Sequence, residues 1–61
     1  MIDEILRLPR ILAVTGMGRS WIYHAVRDGR FPAPVRLGAR AVGWKRSDVQ
    51  AWLDSRKSRH L

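Results

Sequence analysis

Thr15-Gly16-Met17-Gly18-Arg19-Ser20-Trp21-Ile22-Tyr23-His24-Ala25-Val26-Arg27-Asp28-Gly29 is the stretch on which the fold turns. Gly16 and Gly18 bracket Met17 between an apolar run that ends at Thr15 and a second run that closes at Gly29. At ~100° per residue, Trp21, Ile22, Ala25 and Val26 share one side of a helix, and Arg19, Ser20, Tyr23, His24 and Arg27 share the other. The first side makes a core. The second concentrates arginine with short and aromatic hydrogen-bonding side chains, and the only acid near it, Asp28, stands at the very end. A merely solvated face would mix in Glu and Lys, whereas this one suits the major groove of DNA, where such side chains reach base edges. The stretch therefore reads as the turn and second helix of a helix-turn-helix, with Arg19, Ser20, Tyr23, His24 and Arg27 as the DNA-reading face.

Toward the N-terminus, Pro9 marks a helix start, since proline at the first helical position loses no needed N–H. Leu8, Ile11, Leu12 and Thr15 recur at helical spacing, and Gly16 stands where a left-handed C-terminal residue is wanted, so the first helix is short, about residues 9 to 15. Ile5 to Leu8 is an apolar lead-in that forms either a small strand or a drape over the core. The second helix has Gly18 at its N-cap and Gly29 as its stop. Its two or three turns could not hold alone in water, so Ile22 and Val26 must pack against the first helix.

Toward the C-terminus, Phe31-Pro32-Ala33-Pro34 is an extended, stiff connector, because each proline pushes its predecessor out of helical geometry. Val35-Arg36-Leu37, Gly38-Ala39-Arg40 and Ala41-Val42-Gly43-Trp44 follow as a hairpin, with Val35, Leu37, Val42 and Trp44 expected inward and Arg36, Arg40 and Lys45 outside. A basic tip beside a helix-turn-helix is what a wing is, so Arg40, flanked by Arg36 and Lys45, is the second expected DNA contact. Ser47-Asp48-Val49-Gln50 has capping-box spacing, with Asp48 where the helix dipole favours an anion. Val49, Trp52 and Leu53 form the stripe of a third helix ending near Ser55 or Arg56, and residues 56–61 read as a frayed tail. The fold class is mostly α with a small β-hairpin, a winged helix-turn-helix, in a single domain over 1–61 with an ordered core of about 5–56.

The charge balance agrees. Twelve Lys and Arg oppose five Asp and Glu for a net charge of +7, and all the basic residues but Lys45 and Lys57 are arginine. Arginine bias favours bidentate recognition of phosphate or guanine over simple solubilisation. No basic helix carries the broad Leu/Phe face of a membrane-surface peptide, and no run approaches the ~18 apolar residues of a span, so a cytoplasmic protein, nucleoid-associated when bound to DNA, is expected. Without cysteine there is neither disulfide nor thiolate chemistry.

Catalysis lacks parts. Asp3, Glu4, Asp28, Asp48 and Asp54 are scattered, His24 and His60 are far apart, and Gly16-Met17-Gly18 is a fragment without the Lys-Ser/Thr of a phosphate-binding loop. The expectation is no enzyme, no metal and no cofactor. Trp44 and Trp52 are expected in the core rather than as base-stacking platforms. Trp21, four residues before the small Ala25, either covers the core or stays exposed for a neighbouring subunit.

Leu6-Arg7-Leu8-Pro9, Thr15 through Tyr23 as quoted above, Gly29-Arg30-Phe31-Pro32-Ala33-Pro34-Val35-Arg36-Leu37-Gly38 and Arg40-Ala41-Val42-Gly43-Trp44, in this order and spacing, carry a family resemblance over about residues 5 to 55. The chain resembles the AlpA family of small phage and prophage regulators, related to MerR-like winged-helix domains and to excisionases. It departs from that pattern at Gly18, where a capping Ser is frequent, and at Trp21, where a small Thr or Ser is common. The resemblance implies sequence-specific binding of double-stranded DNA, either to regulate transcription of phage, prophage or mobile-element genes or, as an excisionase or recombination directionality factor, to bend attachment-site DNA. Further copies of the chain and an integrase are the other candidate partners. A basic adaptor that binds an acidic protein is the alternative of a different class.

Overall fold

The computed structural model describes residues 2–57. Along the chain run β1 (Ile5–Leu6), α1 (Leu8–Thr15), α2 (Arg19–Arg27), β2 (Val35–Arg36), β3 (Val42–Lys45) and α3 (Arg46–Lys57). This is a mostly α, winged helix-turn-helix arrangement, with its strands in one small antiparallel sheet of order β1-β3-β2.

Local chemistry sets the helix ends. Pro9 lies in the first turn of α1, and Gly16 closes the helix in the left-handed region (φ 73°) with its N–H donating to the Leu12 carbonyl. Thr15 Oγ1 donates back to the Ile11 carbonyl at 2.8 Å and accepts the Met17 N–H at 3.2 Å, which folds the chain directly into the turn. After Gly18, whose carbonyl accepts the Ile22 N–H at 3.1 Å, α2 begins. Gly29 (φ 78°) reverses the chain at the far end. The Ala25 carbonyl consequently accepts two N–H groups, from Arg30 at 2.8 Å and Phe31 at 3.2 Å.

Ile11 of α1 and Ile22 and Ala25 of α2 are fully buried, and Leu6, Phe31, Trp44 and Val49 close the core around them. Trp44 and Trp52 also clamp the connector: Trp44 Nε1 donates to the Pro32 carbonyl and Trp52 Nε1 to the Arg30 carbonyl, each at 2.8 Å. Phe31 sits edge-on to both indoles, 4.9 Å from Trp52 and 6.3 Å from Trp44 between ring centroids. A proline-rich segment with few N–H groups of its own is thus fixed through its carbonyls.

Of the two forms open to the apolar lead-in, residues 5–6 take the strand: β1 pairs with β3 in the register Ile5↔Lys45 and Leu6↔Trp44. Other expectations are corrected. The hairpin pairs Val35 with Gly43 and Arg36 with Val42. Directly opposed residues share a face, so Val35 and Leu37 lie on the face away from Trp44, not beside it. Leu37 and Val42, expected inside, are 45% and 39% exposed, because the hairpin overhangs the core at its tip. On the outer face Ile5 and Leu37 close over Gly43, where an added Cβ would collide with the Ile5 side chain.

The Ser47 capping box does not form. Ser47 lies within the first turn of α3, where Asp3 takes the cap from outside the helix, accepting the Ser47 N–H at 3.4 Å and the Ser47 hydroxyl. The Gln50 amide turns forward to Asp54 at 3.0 Å instead of back to Ser47. Val49, Trp52 and Leu53 do form the inner stripe of α3. Of the expected frayed tail, Arg56 and Lys57 are helical, and residues 58–61 lie outside the described residues.

Candidate nucleic-acid interface

The turn holds α2 against α1 by the buried Ile22 and Ala25, which leaves Arg19, Ser20, Tyr23, His24 and Arg27 exposed together on the opposite side. Arg19, Tyr23 and Arg27 follow one another at four-residue steps of ~6 Å, so the strip is about 12 Å long. Tyr23 is 50% exposed, whereas Phe31 and Trp44 are buried and Trp21 and Trp52 are half-buried. Its phenol therefore stands in the open among the polar residues of α2. The N-terminus of α2 has neither a side-chain cap nor an acid in its first turn. The positive end of the helix dipole and the Arg19 guanidinium stand together there with no anion to answer them, an arrangement that attracts one.

On the hairpin the three expected basic residues do not share a face. Arg36 lies on the same side of the sheet as Trp44, and its Nη2 donates to the Ala39 carbonyl at 3.3 Å, bracing the tip. Arg40 is exposed in the tip itself, between the paired ends where the Leu37 and Gly38 N–H groups both donate to the Ala41 carbonyl. Lys45 stands opposite Ile5, on the outer side and at the other end of β3, about 10 Å along the strand from Val42. The structure groups Arg36 with Arg40 and sets Lys45 apart.

Among the described residues, ion pairs join Arg30 to Asp28 at 3.2 Å and Arg46 to Glu4 at 3.7 Å. Arg19, Arg27, Arg36, Arg40 and Lys45 are in neither, so no acid among the described residues is ion-paired with the charges expected to meet DNA. No group of three or more acidic or histidine side chains among the described residues is placed to hold a metal. No helix among them is long and apolar enough to cross a membrane.

The sequence did not point to three basic residues with defined partners. Arg7 Nε donates to the Val42 carbonyl at 2.9 Å, tying the start of α1 to the wing strand. Arg30 stacks 5.4 Å from the Trp21 ring centroid and Arg56 stacks 4.5 Å from that of Trp52. The Trp52–Arg56 spacing of four was a legible helical signal. The Arg7 and Arg30 contacts join separate elements and had none.

The family model described as "Prophage CP4-57 regulatory protein (AlpA)" matches residues 4–57. The chain belongs to the AlpA family. A protein of Enterobacteria phage P4, described as uncharacterized protein ORF88, is 41% identical over 54 residues, covering 88% of this chain and 61% of its own length. The DNA-binding transcriptional activator AlpA of Escherichia coli K12 is 38% identical over 59 residues, covering 87% of this chain and 84% of its own. This AlpA-family chain thus spans less than two thirds of the phage relative and most of the bacterial one.

Proposed function

We propose that the chain binds double-stranded DNA and regulates transcription of phage, prophage or mobile-element genes in the cytoplasm, residues 1–61 acting as one unit. α2 enters the major groove with Arg19, Ser20, Tyr23, His24 and Arg27, and the hairpin tip lies along the neighbouring backbone through Arg40 and Arg36, with Lys45 as a further phosphate contact. The observation that carries this reading is the acid-free polar face of α2, opposite its buried face. The E. coli relative, named a DNA-binding transcriptional activator, supports the same reading. No catalytic step and no cofactor belongs to it.

Counterion release gives the test. Neutralisation of about four to six phosphates by the basic residues of the interface gives a slope of log affinity on log salt of about −4 to −5. Titration of duplex DNA from low to moderate salt measures it. A flat response would instead favour an adaptor that binds an acidic protein through the same face.

A further inference from the structure

α2 and α3 meet through a row of four side chains that the proposed reading surface does not use. The Arg30 guanidinium lies over the Trp21 ring, Trp21 meets Trp52 edge-on with centroids 6.2 Å apart, and the Arg56 guanidinium lies over Trp52. Trp52 is locked from below by its own N–H, which donates to the Arg30 carbonyl. On the α2 wheel Trp21 falls about 60° beyond His24, so the row begins at the edge of the polar face and leads away from it onto α3.

Both arginines are exposed, and their guanidinium carbons lie over aromatic rings, 5.4 Å and 4.5 Å from the centroids. A guanidinium held this way keeps in-plane N–H donors for a second partner and has already lost much of the rotamer freedom that binding would remove. Arg30 uses one such donor for Asp28, and Arg56 has no ion pair among the described residues. The two guanidinium carbons are no more than about 16 Å apart along the row. The ligand that suits planar, forked, cationic donors beside a groove-reading helix is the phosphate backbone.

We propose that Arg30 and Arg56, stacked on Trp21 and Trp52, form a second phosphate-binding rail, which grips the DNA backbone on the side of α2 away from Arg19. The rail rests on the DNA-binding reading above and extends the interface onto α3. It positions the reader without selecting sequence, since it meets only backbone.

The test uses the full chain and a duplex selected for binding by the unaltered protein. Arg30→Gln and Arg56→Gln are each expected to lower affinity about five- to ten-fold near 0.1 M salt and to flatten the salt slope by about one, equally on selected and on random duplex. Ethylation of backbone phosphates at one edge of the site should interfere with the unaltered protein and no longer with Arg56→Gln. Arg56→Lys, which keeps the charge and loses the planar fork, should recover the slope and only part of the affinity. Thermal midpoints of all variants are read alongside. Affinity and slope equal to the parent's, with only a lowered midpoint, would overturn the rail and leave α2 as the reader. Failure of the unaltered protein to bind duplex DNA at all would overturn the DNA-binding reading and the rail with it.

Discussion

The indole N–H of Trp44 illustrates how much one atom holds in so small a core. The side chain is fully buried, and that N–H satisfies the Pro32 carbonyl. Trp44→Phe keeps most of the apolar contact but strands the carbonyl, for a cost of ~1 to 3 kcal/mol. Trp44→Ala would cost ~3 to 5 kcal/mol, as much as a core of this size supplies. Urea denaturation should find the Phe variant folded with a lowered midpoint and the Ala variant unfolded without denaturant. At the surface, side chains of one charge divide by what they meet. Arg19→Ala or Tyr23→Ala should cost ~1 to 3 kcal/mol of binding and relax preference at particular base pairs, because both stand near the start of α2, where such modules reach base edges. Arg40→Ala should weaken all duplexes about equally and reduce the salt slope by about one. Selected-site profiles on variants with unchanged circular dichroism separate the two, and unchanged profiles for Arg19→Ala and Tyr23→Ala would remove α2 from the major groove.

At the scale of elements, the cap of α3 comes from the other end of the chain. Asp3 accepts from Ser47, and the Glu4 carbonyl accepts the Arg46 N–H at 2.8 Å, so β1 and the start of α3 are fastened as one unit. Asp3→Ala should cost ~0.5 to 2 kcal/mol, as loss of a cap does. In a domain of this size ~1 kcal/mol moves the thermal midpoint by about 4 to 8 °C, and faster amide exchange at Ser47 would locate the loss at the cap. The same element shows where sequence reading succeeds and stops. The ends of α1 and α2 were legible because Pro9, Gly16, Gly18 and Gly29 act on their own neighbours. Ser47 to Gln50 had the spacing of a local cap, but an aspartate distant in sequence won the position. The hairpin strands were legible as strands, whereas their register was not. Gly43 has no side chain to mark a face, and Ile5 takes the space above it. Trp21 departed from its family pattern with no local explanation, and its partners, Trp52 and Arg30, are supplied by other elements.

For the whole molecule, the length of the proposed reading helix limits what one copy can specify. Nine residues of α2 make a rod ~13 Å long, enough to meet a few base pairs in one groove. Several copies should therefore bind repeated or inverted half-sites, phased by about 10 to 10.5 base pairs where two reading helices share one face of the duplex. Sedimentation of the complex on a natural site should give more than one copy per site, and saturation at one would reject the phasing.

The clamped connector between α2 and β2 has a mechanical consequence for such a complex. With the Arg30 and Pro32 carbonyls each held by an indole, the spacing between α2 and the base of the hairpin should be stiff, so that the protein would act as a caliper of fixed gauge. In the proposed complex, where gauge and groove disagree, the compliance must come from the nucleic acid. Smooth curvature of 40–90° over 20–30 base pairs stores about 1–6 kcal/mol of elastic energy, and pyrimidine–purine steps are the most pliant. Sites rich in such steps between the helix and hairpin contacts would then be preferred at positions that no side chain touches.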